Sequence, residues 1–341
     1  EIDGMTVSSI GVRAFAGNTR LREIILPNGL EYIREYAFDD VSRLDSVTFS
    51  GDKLKWIEQR AFRDCSSLRQ LALPDSVVTI GMETFVNCSA LSAVEISQDS
   101  ALKGIGKRAF SKTALSYLYL PADVTVFDGS VLAYCRNMRS VDIHADNAAF
   151  VVQNGVVLST DGTVLVYYPA AKTGTLTVPE SVISVGDSAC TASSVTKVEF
   201  PESLEQIGVQ SFAEAELTAL HIPANVGTIA PGAFKKCSRI TELTFAENAH
   251  LYTIDGDINN GGAFEFCTQI SAMVLPESLV SIKHQGFLGC SGLKELVIPA
   301  NVELIENSAF ECCKGLETVS FAENCAVGTI PASCFRNCSK L

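Results

Sequence analysis

The stretch Ser76-Val77-Val78-Thr79-Ile80-Gly81-Met82-Glu83-Thr84-Phe85-Val86-Asn87-Cys88-Ser89-Ala90-Leu91-Ser92-Ala93-Val94-Glu95-Ile96 decides the fold. It joins an Ile-Gly-x-x-x-Phe-x-x-Cys phrase to a Leu-x-x-Val-x-Ile phrase. Outward from Phe85 the phrase returns at Phe15, Phe38, Phe62, Phe110, Phe212, Phe234, Phe264, Phe287, Phe310 and Phe335. Leu132 and Cys190 hold the same register in two weaker copies. Successive anchors lie 22 to 25 residues apart, save for gaps of 58 and 30, which makes thirteen copies.

Each part of the unit has a physical role. In Leu-x-x-Val-x-Ile the last two apolar residues alternate, which suits a short strand with one buried face. Pro follows that strand at Pro27, Pro74, Pro121, Pro201, Pro223, Pro276 and Pro299 and ends it, because it has no N–H for a ladder. The Val-x-x-Ile segment returns along the other side of the coil. The Ala-Phe-x-x-Cys piece is too short for a stable helix, so one helical or 3₁₀ turn is expected there. One unit cannot bury its apolar face alone, whereas stacked units share a continuous core.

The composition agrees. The chain has 341 residues, is 47% hydrophobic and carries a net charge of −13, which excludes disorder and argues against nucleic acid or an anionic membrane as partners. There is no apolar run of about 18 residues that would span a bilayer, and any membrane attachment is expected from an anchor outside this chain. The start, Glu1-Ile2-Asp3-Gly4, does not read as a signal peptide, nor the end at Leu341 as a sorting or lipidation signal. One domain over 1–341 is expected.

Two insertions interrupt the period. The longer reads as a β-hairpin insertion at 147–178, with Asp161-Gly162 between the runs Gly155–Ser159 and Val164–Tyr168. Tyr167 and Tyr168 are adjacent, so alternation would turn at least one outward, toward a ligand. The shorter centres on Asp255-Gly256-Asp257-Ile258-Asn259-Asn260-Gly261-Gly262. It matches the first three ligand positions of a calcium loop, but Asn260 replaces the needed Gly and Phe266 the bidentate Glu, so an ordinary loop is the better reading.

Eight of the twelve Cys fall three residues after the anchor: Cys65, Cys88, Cys135, Cys237, Cys267, Cys290, Cys313 and Cys338. Asn18 and Thr113 take this place in other copies, which points to a small buried ladder position near loop backbone rather than to metal. No Cys-x-x-Cys occurs, and no metal or cofactor is expected. Gly-x-Ser-x-Gly, His-Glu-x-x-His and a P-loop are absent too, and the four His lie far apart, so no enzyme is expected. Gly104-Ile105-Gly106 is made of repeat positions, and Asn87-Cys88-Ser89 and Asn337-Cys338-Ser339 match the glycosylation sequon only where it overlaps the repeat Cys.

Leu-x-x-Leu-x-Leu at this period is the leucine-rich-repeat pattern. The 23-residue form with Pro after the strand and Ile-Gly-x-x-Ala-Phe-x-x-Cys resembles the BspA-like, or Treponema pallidum type, subclass over nearly the whole chain. The fold class implied is an α/β, β-rich leucine-rich-repeat solenoid, a right-handed superhelix of short parallel strands and helical turns. The resemblance also implies a secreted or cell-surface adhesion module, bacterial, binding a host matrix or cell-surface protein, or a glycan. The alternatives are a structural spacer presenting another domain and a carbohydrate-binding or hydrolytic site on the insertions.

In such solenoids the x positions of the strand face solvent and line up between units. The column before the last aliphatic residue has a central block of Glu95, Tyr119, Asp142, Glu199 and His221, with Tyr117 two residues before Tyr119. Exposed aromatics beside carboxylates suit a partner site, so the candidate residues are Tyr117, Tyr119, Glu95, Asp142, Glu199, His221, Tyr167 and Tyr168.

Overall fold

A computed structural model describes residues 7–341. The Glu1-Ile2-Asp3-Gly4 start lies outside them. The chain is a β-solenoid of short parallel strands that divides into two compact units, one of residues up to Thr160 with Pro169–Ala171, the other of Asp161–Tyr168 with Lys172–Leu341.

Within each unit the repeat supplies two strand columns. In the first unit, Ser9–Ile10, Tyr32–Ile33, Trp56–Ile57, Thr79–Ile80 and Gly104–Ile105 form a five-stranded parallel sheet. The Leu-x-x-Val-x-Ile segments pair as Glu23–Leu26 with Ser46–Phe49, Gln70–Ala72 with Ala93–Glu95, and Tyr117–Leu120 with Ser140–Ile143. The second unit repeats this with Val164–Tyr167, Ser184–Val185, Gln206–Ile207, Thr228–Ile229, Thr253–Ile254, Ser281–Ile282 and Leu304–Ile305 in one parallel column. Its facing pairs are Gly174–Thr177 with Val195–Glu199, Ala219–Ile222 with Glu242–Phe245, and Glu295–Ile298 with Thr318–Phe321. Register sets like on like: Ile33 opposes Ile57 and Ile57 opposes Ile80. The repeated aliphatics therefore form buried columns.

The anchor phenylalanines form ladders. From Phe15 through Phe38, Phe62 and Phe85 to Phe110 the rings stack with centroids 4.8 to 5.3 Å apart. From Phe212 to Phe335 the spacing is 5.2 to 5.6 Å. That spacing is set by the rise between hydrogen-bonded strands, about 4.8 Å, and it suits offset stacking.

The expected helical turn at Ala-Phe-x-x-Cys is realised as a helix only once among the described residues, as a 3₁₀ segment at Gly129–Leu132 capped by Asp128. Elsewhere, save at Gly262 before Phe264, the residues two before and two after the anchor adopt left-handed backbone, as at Glu83 (φ 56°) and Asn87 (φ 62°) around Phe85. The hydrogen bonds explain this. Glu83, Phe85 and Asn87 donate their N–H groups to Lys107, Ala109 and Ser111 on the next turn, while Val86 and Cys88 close tight turns onto Glu83 and Phe85. A helix would send every N–H back into its own turn. Here alternate N–H groups find partners one repeat away, which offsets a cost of about 1–2 kcal/mol for each left-handed non-glycine residue.

The repeat Cys completes this wall. All eight thiols donate to the carbonyl of the anchor residue one turn earlier, at 3.0 to 3.2 Å, as Cys65 does to Phe38 and Cys313 to Phe287. In the Thr113 copy the hydroxyl donates to Phe110 carbonyl at 2.8 Å. The glycine of Ile-Gly answers to close approach: a Cβ on Gly81 would stand 2.5 Å from the Gln59 backbone nitrogen.

Candidate functional site

The long insertion gives the first unit an element the repeat does not encode. Phe150–Gln153 and Val156–Ser159 form an antiparallel hairpin across Asn154-Gly155, both at positive φ (53° and 71°), as a type I′ turn needs. The sequence reading singled out Asp161-Gly162 and passed over this Asn-Gly pair. Asn147, buried, ties the hairpin base to the neighbouring turn. Its Nδ2 donates to the carbonyls of Pro121 (2.8 Å) and Val124 (3.0 Å), and its Oδ1 accepts the amides of Ala149 and Phe150, both at 2.9 Å. Phe150 meets Phe127 edge to face at 5.9 Å.

The hairpin stands as one wall of a pocket of about 1420 Å³ within the first unit. Glu95, Tyr117, Tyr119 and Asp142 line it from successive strands, Ser97 and Gln98 from the loop after Ala93–Glu95, and Val151 and Val152 from the hairpin. Tyr117 is 42% exposed, Val151 41% and Val152 37%, so the walls offer apolar surface that the fold itself leaves uncovered. Partial burial pushes the Tyr117 hydroxyl above its ordinary range, and the neighbouring Asp142 carboxylate pushes the same way. Partial burial also raises Tyr119.

Four of the eight sequence candidates thus converge here. Glu199 and His221 belong to the second unit. Lys197 Nζ donates to the Glu199 carboxylate at 2.7 Å and Thr177 hydroxyl at 3.0 Å, which together hold it below the usual carboxylate range. His221 Nδ1 lies 3.0 Å from the Thr244 hydroxyl. Tyr167 and Tyr168 contradict the expectation that one faces outward: both are buried, at 1% and 4% exposure. The strand Val164–Tyr167 is covered on both faces, with Leu165, Val166 and Tyr167 all buried, and Tyr168 opens the next turn by donating its N–H to Ala189 at 2.8 Å. Burial, with Cys190 beside it, pushes the Tyr168 hydroxyl up to about 12.

The match to known families is direct. The model of the BspA type leucine-rich repeat region, in six copies, covers residues 6–146, 166–259 and 257–341. The chain belongs to the BspA-type leucine-rich-repeat family. No curated protein sequence matches it. Solved structures share the fold at low identity. A leucine-rich-repeat protein of Eubacterium ventriosum is 19% identical, with a TM-score of 0.72 over 93% of this chain and 88% of its own. A leucine-rich cell-surface protein of Faecalibacterium prausnitzii is 21% identical, with a TM-score of 0.68 over 95% and 86%. The pneumococcal vaccine antigen PcpA is 23% identical, with a TM-score of 0.59 over 94% of this chain and 68% of that one.

The residues that make the family are core positions, so the pocket of this BspA-type chain rests on what its repeats do not share. Two signals in the sequence mark it: the Asn154-Gly155 turn, and the 25-residue step from Phe85 to Phe110 that adds Ser97 and Gln98 to the rim. The second insertion offers no comparable site. Gly256–Asp257 and Gly261–Gly262 close an antiparallel loop. Its Asp257 carboxylate accepts the amides of Asn259 and Asn260, each at 2.7 Å, so backbone takes the place a cation would occupy. Among the described residues no cluster of three metal-ligating side chains occurs.

Proposed function

We propose that this chain is a secreted or cell-surface binding module, and not an enzyme, that holds a host matrix or cell-surface protein in the pocket of its first unit. One observation carries the reading: Tyr117 stands exposed and Tyr119 half-buried beside Glu95 and Asp142, under a hairpin whose Val151 and Val152 also face solvent. Aromatic side chains on a rigid strand lose little freedom on binding and make strong anchors. The surface location described for the Faecalibacterium relative supports the placement. The pneumococcal relative's use as a vaccine antigen points the same way. The test is capture of the purified chain on immobilised matrix and cell-surface proteins, repeated with Tyr117→Ala and Tyr119→Ala. Binding to at least one of them, weakened about tenfold or more by either substitution, is expected. Unchanged capture by both variants overturns the site.

A further inference from the structure

The walls of this pocket carry charge that they do not balance. Glu95 and Asp142 each bring a carboxylate to it, and among the described residues no Lys or Arg lines it. The Glu95 carboxylate is exposed and makes no hydrogen bond or ion pair among the described residues. The exposed Asp142 carboxylate lies beside Tyr117, and an ionised carboxylate has several acceptor sites to offer. His144 also lines the pocket, with its Nδ1 3.1 Å from the Asp146 amide nitrogen.

A second feature concerns backbone. Ala93–Glu95 pairs with Gln70–Ala72, and Tyr117–Leu120 pairs with Ser140–Ile143. Between Ala93–Glu95 and Tyr117–Leu120 themselves, no strand pairing or backbone hydrogen bond forms among the described residues. The strand face is open at the pocket, and main-chain donors and acceptors are left there for another chain.

From these observations we infer that the pocket takes an extended segment of a partner protein that presents a Lys or Arg side chain beside an apolar one. The inference rests on the reading of this pocket as the partner site. The cation sits between the Glu95 and Asp142 carboxylates and over the tyrosine rings, where ion pairing and cation–π attraction act together. The neighbouring apolar side chain covers Val151 and Val152. The segment's backbone meets the open strand edges as an added strand does. A neutral glycan would gain from the rings and hydroxyls but not from the two carboxylates. The chain's net charge of −13 also draws a basic segment in over a longer range.

The test is selection of a random dodecapeptide phage library on the full chain, with counter-selection on the Glu95→Gln/Asp142→Asn double variant. Both positions lie on the surface, and the variant is expected to unfold at the temperature of the parent. Enriched peptides are expected to carry Lys or Arg next to an apolar residue. A labelled peptide of that kind is expected to bind the parent about tenfold tighter than the double variant, and to weaken as salt rises from about 50 to about 500 mM. Failure of any peptide to enrich, enriched peptides without a basic residue, or equal binding to parent and double variant overturns the inference. So does a neutral glycan array signal that Tyr117→Ala abolishes while no basic peptide enriches. If Tyr117→Ala destroys capture of a protein partner and the double variant does not, the partner site stands and only the basic segment fails. If neither substitution matters, the site itself fails.

Discussion

Cys88 donates its thiol hydrogen to the carbonyl oxygen of Phe62, one turn earlier, at 3.1 Å. The same carbonyl accepts the amide of Cys65 at 3.3 Å, so both of its lone pairs are used inside the wall. The repeated Cys therefore fills a buried space as a small apolar side chain and still supplies the second donor. This is why it recurs three residues after the anchor.

Cys88→Ala removes that donor and leaves a small cavity in a fully buried position. A loss of about 1–3 kcal/mol in unfolding free energy is expected from urea titration. The same change at Cys312, which is half-buried and outside the ladder, is expected to cost less than about 0.5 kcal/mol.

Burial also fixes the chemistry of these thiols. It pushes Cys237 and Cys290 up to about 12, so almost no thiolate exists near neutrality. A chromogenic disulfide reagent at about pH 8 is expected to label Cys312 and Cys325 early, and fully buried ladder thiols such as Cys237 and Cys290 only after unfolding. Because the folded-state values are raised, the stability they bring is whole below the ordinary thiol value of about 8.5 and is lost as pH climbs toward about 12. Melting temperatures recorded from neutral to strongly alkaline pH check the sign.

The period, the buried columns and the Cys ladder were legible in the sequence because each is a property of one position copied many times. The helical turn was misread for a physical reason. Helix reasoning counts partners within a segment, whereas Glu83, Phe85 and Asn87 find theirs one repeat away. Tyr167 and Tyr168 were misread because alternation assumes one solvated face, whereas this strand buries Leu165, Val166 and Tyr167 in succession. In the site, Glu95, Tyr117, Tyr119 and Asp142 could be aligned from the repeat alone, since the x positions of stacked strands form a column. Phe150 lies in the insertion, where no copy exists to compare, and the Asn154-Gly155 turn announced it.

The Ile-Gly glycine gives a paired test of stacking. A Cβ on Gly81 would meet Gln59 backbone nitrogen at 2.5 Å and the Glu58 carbonyl carbon at 2.6 Å, and backbone cannot step aside as a flexible side chain can. Gly11, in the same motif of the first repeat, has nothing among the described residues within 4 Å of that place. Gly81→Ala is expected to destabilise by about 3 kcal/mol or more, and Gly11→Ala to fall within about 0.5 kcal/mol of the parent. Equal effects in denaturant titrations would remove close packing between turns as the reason for this glycine.

Asn147 offers a way to disable the pocket without touching a residue that lines its aromatic side. Its amide makes two bonds to Pro121 and Val124 and receives two from Ala149 and Phe150. Asn147→Ala leaves those carbonyls and amides without their partner in a buried setting, at an expected cost of about 2–4 kcal/mol, and frees the base of the 150–159 hairpin. Hydrogen exchange should then quicken across Phe150–Ser159, while the Ile columns around Ile57 and Ile80 keep their protection. Partner binding should fall with the hairpin, because Val151 and Val152 no longer hold their wall beside Tyr117. Binding that survives while the hairpin exchanges freely would assign recognition to the strand face alone.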